Sequence, residues 1–88
     1  MAEWHVRYSD HVSREDIPKL SSAIRERIRT AIEQKLMRDP LHFGKPLRYS
    51  LTGQRSLRVG DWRVLYSIDH EKRLISVSAI GHRRDIYE

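Results

Sequence analysis

An apolar residue recurs at every fourth position from Leu20 through Ile24, Ile28 and Ile32 to Leu36, and no other pattern in the chain restricts its fold so strongly. On a helix of 3.6 residues per turn this spacing makes one stripe, which Ala23 and Ala31 widen. Ser21 or Ser22 supplies a hydroxyl cap for the start. Asp39-Pro40 ends the helix, because the residue before a proline avoids helical geometry. Arg25, Glu26, Arg27, Arg29 and Glu33 fall mainly on the solvent side.

The rest of the chain supplies the surface this stripe needs. Trp4, Val6 and Tyr8 alternate with His5, Arg7 and Ser9, the two-residue period of a half-buried strand. Ser13-Arg14-Glu15-Asp16 reads as a second, earlier helix start, kept short or irregular by Pro18. Residues 41–54 read as a connection with a short strand expected at Leu47–Leu51. Three strand-like runs follow: Arg55–Val59, Trp62–Ile68 and Leu74–Ile80, the last alternating less cleanly. Gly60-Asp61 and Asp69-His70-Glu71-Lys72 are the turns between them. Helices grouped before a meander predict one α+β domain over residues 1–88. In it, an N-terminal strand and a helical hairpin pack on a twisted, mainly antiparallel sheet of about four strands.

Charge points to a partner. Seventeen Lys and Arg against twelve Asp and Glu give a formal charge of +5, which favours a polyanion. The excess is not spread evenly: residues 1–41 hold eight basic and seven acidic side chains, residues 42–88 nine and five. With 88 residues the chain has little surplus stability for a deep site, so a shallow groove is expected. Without cysteine there is no disulfide and no thiolate metal ligand or nucleophile. His5, His11, His42, His70 and His82 are scattered without the i, i+4 spacing of a zinc motif, and no glycine-rich phosphate loop occurs. No metal or other cofactor is therefore expected. Neither a signal peptide nor an apolar run of roughly 18 residues is visible. The chain is expected to act in the cytoplasm, with no membrane partner.

Chemistry must then come from Arg, His, Tyr and backbone. Arg58 precedes the Gly60 turn and Arg63 follows it, so the two should meet across a tight hairpin, with Ser56 on the same strand face as Arg58. Gly81-His82-Arg83-Arg84-Asp85-Ile86-Tyr87 brings an imidazole, two guanidiniums and a phenol within seven residues. Cleaving an RNA phosphodiester needs a base, an acid and fixed positive charge for a phosphorane-like transition state. Guanidinium suits the last task, because its planar donors grip phosphate oxygens two at a time. Trp4, Trp62 and Tyr66 read as core aromatics.

Leu57-Arg58-Val59-Gly60-Asp61-Trp62-Arg63-Val64-Leu65-Tyr66, followed by Ile80-Gly81-His82-Arg83-Arg84-Asp85-Ile86-Tyr87, resembles the two signature segments of the RelE/ParE toxin superfamily. The helix ending in Asp39-Pro40 is similar to that family's second helix, and the resemblance covers nearly the whole chain. It implies a small α+β toxin of a type II toxin–antitoxin pair. For the RelE branch it implies an endoribonuclease that cuts mRNA in the ribosomal A site by 2′-hydroxyl attack. The carry-over gives Arg58 and Arg63 as phosphate contacts and Arg83 as the group stabilising the transition state or leaving oxygen. Tyr87 orients the base and takes part in proton transfer, and His82 stands where relatives carry His or Lys. Arg55, Ser56, Arg84, Lys45 and Arg48 complete the expected RNA-binding surface.

One position departs from the pattern: Ser56 stands where a second basic residue is expected, and Arg55 beside it faces the other way in a regular strand. The implied partners are a cognate antitoxin, whose tail folds over the groove or the helices, and mRNA on the ribosome. The rival reading on the same fold is a ParE-like toxin that poisons DNA gyrase without nuclease activity. A third, suggested by Ser56, retains only partner or operator binding.

Overall fold

In the computed structural model, which describes residues 4–48 and 53–85, the apolar ladder packs against a sheet. Strand β1 (His5–Tyr8) leads to α1 (Val12–Asp16), which tightens into one narrow turn at Ile17–Lys19. Helix α2 (Ser22–Ala31) runs on through Ile32–Leu36 in a wider winding, closed by the Met37 amide on the Ile32 carbonyl at 2.9 Å. After it come α3 (Pro40–Phe43), β2 (Lys45–Pro46), β3 (Arg55–Val59), β4 (Trp62–Asp69) and β5 (Leu74–His82). The five strands lie in the order β1-β5-β4-β3-β2. All neighbours are antiparallel except β1, which runs parallel to β5 at one edge.

Ile28, Ile32 and Leu36 are buried against Leu57, Val59, Val64, Tyr66, Ile75, Val77 and Ile80, with Ile24 partly buried beside them. Of the two serines available, Ser21 caps α2, its Oγ accepting the Ile24 amide at 3.2 Å. The expected start of α1 moves upstream: Ser9 Oγ accepts the Val12 amide at 3.2 Å, so the hydroxyl that caps lies four residues before Ser13. Asp39 does more than end a helix. Its side chain accepts the His42 amide at 3.2 Å and Pro40 opens α3, a short helix absent from the sequence reading. Proline fits there because the first helical turn needs no amide donor.

Strand β2 occupies Lys45–Pro46, just ahead of the strand expected at Leu47–Leu51. The ladder still reaches one residue further, since the Leu47 amide donates to the Gln54 carbonyl at 2.9 Å. The remainder of the expected strand, from Tyr49 on, lies outside the described residues.

The uneven alternation of the last strand has a physical cause. Leu65 pairs with Ala79 but Tyr66 with Val77, leaving Ser78 as an extra residue on β5. This bulge shifts the two-residue phase, so Ile75 and Val77 face the helices before it and Ile80 after it. Ser78 Oγ is tied to the Leu65 carbonyl (3.3 Å) and to Gln54 Oε1 (2.6 Å). Beyond Ile80 the strand continues two residues longer than expected, because Gly81 and His82 pair with Arg63 and Trp62.

Candidate functional site

The β3–β4 hairpin builds the site. Val59 pairs with Trp62 across Gly60-Asp61, and Gly60 adopts φ +62°, which a two-residue turn requires of its first residue when its twist matches the strands. Register then makes Arg58 and Arg63 direct cross-strand partners, with Gly81 next to Arg63 on the other side. Val64 and Tyr66 point to the helices, so Arg63 points away from them. On this open face Arg58 and Arg63 line a groove of about 370 Å³ with Ser56, Phe43, Lys45, Pro46 and Leu47. None of these seven residues is acidic. Because the Ser78 bulge has reversed the alternation, the β5 residue beside Arg63 is a glycine, and no side chain from that strand fills the floor.

Both arginines are steadied by backbone. Arg58 Nε donates to the Gly60 carbonyl at 3.2 Å and Arg63 Nη1 to the Trp62 carbonyl at 3.3 Å. Arg83 is held at the same end of the sheet, its amide donating to the Asp61 carbonyl at 2.8 Å. Its Nε lies 3.9 Å from Asp61 Oδ1 with both side chains more than half exposed, so the pair is weak and the guanidinium is available to another anion. A further guanidinium arrives from α2: Arg27 Nη2 stands 3.0 Å from where a Cβ on Gly60 would be. In the sequence Arg27 reads only as part of a solvent face, and nothing in the helix periodicity marks its reach to the turn.

The other expected site residues fall in different places. His82 pairs with Trp62 and their rings meet edge to face at 5.5 Å, which puts the imidazole on the helix side of β5, across the strand from Arg63. Its Nδ1 accepts the Arg84 amide at 3.3 Å. Arg84 is exposed in the turn that follows, and Tyr87 lies outside the described residues. Lys45 is the cross-strand partner of Ser56 at the groove's outer edge, and Arg48 is exposed beyond it.

Arg55 points the opposite way from Ser56, as a regular strand requires. Its Nη2 donates to the carbonyls of Leu41 (2.9 Å) and Gly44 (2.6 Å), and its Nε to Tyr66 Oη at 3.4 Å. Tyr66 Oη in turn donates to the Pro40 carbonyl at 2.8 Å. Burial raises the Tyr66 phenol above its ordinary pKa, and the hydrogen bond and charge of Arg55 act against that rise. These two side chains clasp the Pro40–Gly44 segment to the sheet. Phe43 and Leu47, which wall the groove, were not among the expected site residues. The Asp39-Pro40 pair, read as a cap plus first-turn proline, is the signal that would have placed Phe43 on an element.

A second concavity of about 250 Å³ opens between the helices and β5, where Ile17, Leu20, Ile28, Ile32 and Ile80 are rimmed by Tyr8, Arg25 and Arg29. Burial lifts the Tyr8 phenol, Glu33 adds to the rise, and Arg29 opposes it. Its walls are apolar, unlike those of the cationic groove. Among the described residues no three His, Asp or Glu side chains gather as a metal ion would require. No described helix is long and apolar enough to cross a membrane.

Fold and groove together define a class: a small basic α+β protein in which a helical pair backs a sheet whose open face carries paired arginines. Residues 6–87 match the family described as the ParE toxin of the type II toxin–antitoxin system, parDE, and the chain belongs to that family, in its RelE-type branch. Toxin RelG of Mycobacterium tuberculosis is 40% identical over 75 residues, covering 85% of this chain and 86% of that protein. Toxin RelE of the same organism is 32% identical over 84 residues, covering 96% and 86%. Among solved structures, the toxin–antitoxin complex RelBE2 of M. tuberculosis superposes with a TM-score of 0.87 at 36% identity over 97% of each chain.

Proposed function

We propose that this toxin is an endoribonuclease that cleaves mRNA in the ribosomal A site without a metal. The observation that carries the reading is the Arg58–Arg63 cross-strand pair in a groove without acids, with Arg83 anchored at the same hairpin turn. In the reaction the 2′-oxygen attacks the adjacent phosphorus and the P–O5′ bond breaks. The products are a 2′,3′-cyclic phosphate and a 5′-hydroxyl; one proton leaves the 2′-oxygen and one reaches the 5′-oxygen. Arg58 and Arg63 hold the non-bridging oxygens, and Arg83 stabilises the charge that develops on the phosphorane and the leaving oxygen. Proton transfer is assigned to Tyr87; His82, on the opposite face of β5 from Arg63, takes no part in it. Lys45, Arg48 and Arg84 attract the flanking phosphates, and Ser56 contributes a hydroxyl rather than a charge beside Arg58.

An antitoxin is the implied partner, supported by the crystallised complex of the M. tuberculosis relative with its own antitoxin. A basic groove of this kind is masked by an acidic segment that orders on binding. Purified toxin added to ribosomes translating a defined message should cut it at a rate unchanged by chelator. Arg63→Ala and Arg83→Ala should each slow cleavage by about 10²- to 10³-fold, the usual loss for one donor to a developing oxyanion. Intact message together with trapped gyrase–DNA complexes would replace this reading with the gyrase-directed one.

A further inference from the structure

The cationic groove has one wall that phosphate chemistry does not explain. Phe43 ends α3 with 41% of its surface exposed, although an apolar ring in water is a standing loss for a chain with so small a core. It lines the same groove as Arg58, Arg63 and Ser56. Around it, Lys35 Nζ lies 5.9 Å from the ring centroid and the His42 ring stands edge-on at 5.0 Å. We infer that the Phe43 ring is a stacking platform for one nucleobase of the RNA, the base flanking the phosphate held by Arg58 and Arg63. The inference rests on the ribonuclease reading and adds to it a subsite for the base.

Rigidity supports this assignment. A platform works only if its orientation is fixed before the base arrives. The Pro40–Gly44 segment is fixed at three points: the Asp39 cap on His42, the two carbonyls gripped by Arg55, and the Tyr66 hydroxyl on the Pro40 carbonyl. Gly44 lets the backbone approach Tyr66 more closely than any side chain would permit. The chain therefore holds an exposed ring in place beside a phosphate site. Bases stack on such rings whatever their identity, because each presents a π-face, and loss of one stacked base weakens binding roughly 5- to 150-fold. Lys35 and Lys45 favour the phosphates on either side of that base.

The test uses the full chain and a short single-stranded RNA blocked against cleavage by 2′-O-methyl groups, with 2-aminopurine placed at each position in turn. Fluorescence should be quenched at one position, next to the phosphate that Arg63→Ala releases. Phe43→Ala should abolish the quenching and weaken binding within the stated range. Phe43→Trp should retain both, and Leu41→Ala, a neighbouring exposed residue outside the groove, should leave both unchanged. Cleavage of ribosome-bound message should fall with Phe43→Ala and return with Phe43→Trp. RNA bound with wild-type affinity and quenching by Phe43→Ala would overturn the inference and leave the ribonuclease reading intact. So would a Phe43→Ala variant that loses only its antitoxin, which would make the ring a protein contact. Absence of RNA binding and of cleavage by the unsubstituted chain would remove the ribonuclease reading and this one with it.

Discussion

Substituting Gly44 by alanine should destabilise the toxin out of proportion to the single carbon added. The glycine has φ −99°, a conformation open to any residue, so backbone strain plays no part. What forbids a side chain is Tyr66. A Cβ at residue 44 would overlap the Tyr66 hydroxyl and stand 2.7 Å from Cζ and 3.0 Å from Cε1, where carbon atoms prefer about 3.5–4.0 Å. Tyr66 is fully buried and cannot retreat without repacking the core. Moving the phenol also stretches its 2.8 Å bond to the Pro40 carbonyl. Overpacking costs about 1–3 kcal/mol and a weakened buried hydrogen bond about 1 kcal/mol, so Gly44→Ala should lose about 3 kcal/mol. At 4–8 °C per kcal/mol for a domain of this size, the thermal midpoint should fall by about 12–24 °C. Urea unfolding followed by circular dichroism measures the loss directly. In the double variant with Tyr66→Phe the overlapping oxygen is gone, so the combined loss should be smaller than the sum by about 1 kcal/mol. A Gly44→Ala protein within about 0.5 kcal/mol of the parent, or a strictly additive pair, would mean that Tyr66 does not bar a side chain at residue 44.

Asp16→Ala should cost about 1–3 kcal/mol in urea unfolding, because Asp16 Oδ2 accepts the amide of buried Ile80 at 2.9 Å and that donor would be left alone; an unchanged midpoint would rule this out. Ser21→Ala should cost about 0.5–1 kcal/mol through loss of the α2 cap, and Ser22→Ala should cost less; equal losses would contradict the capping assignment. Alkaline stability should follow the tyrosines. Tyr66 and Tyr8 both have phenols raised above 10.0, so the unfolded chain gives up these protons first. Their contribution is full below pH 10 and is lost as the pH climbs through the folded-state values. Unfolding free energy measured from pH 9 upward should therefore decline, less steeply in Tyr66→Phe; equal slopes would count against the burial of that phenol.

Local rules carried the parts of this fold that local rules govern. The four-residue ladder located α2, and Gly60-Asp61 located the hairpin that makes Arg58 and Arg63 partners. What escaped depends on register or on distant contacts. The Ser78 bulge has no sequence mark beyond a ragged alternation, yet it decides that Gly81 lies beside Arg63 while His82 turns toward Trp62. Helix α3 is four residues long, too short for any periodicity to show. Arg55 read as one more cation for RNA, because only the folded chain brings the carbonyls of Leu41 and Gly44 to its guanidinium. The parallel edge between β1 and β5 joins segments almost seventy residues apart, beyond the reach of a residue-by-residue pattern.

The proposed chemistry requires Arg58 and Arg63, which line one groove, and Arg83, anchored at the same hairpin turn, to act together on RNA phosphates. The salt dependence of affinity for a cleavage-blocked single-stranded RNA probes it most directly, since each phosphate neutralised contributes about 0.7 to the slope of log affinity against log salt. Replacing all three arginines by glutamine should lower the slope by about 2, and each single replacement by about 0.7. A slope indifferent to all three would mean that RNA meets some other face of the molecule, or none.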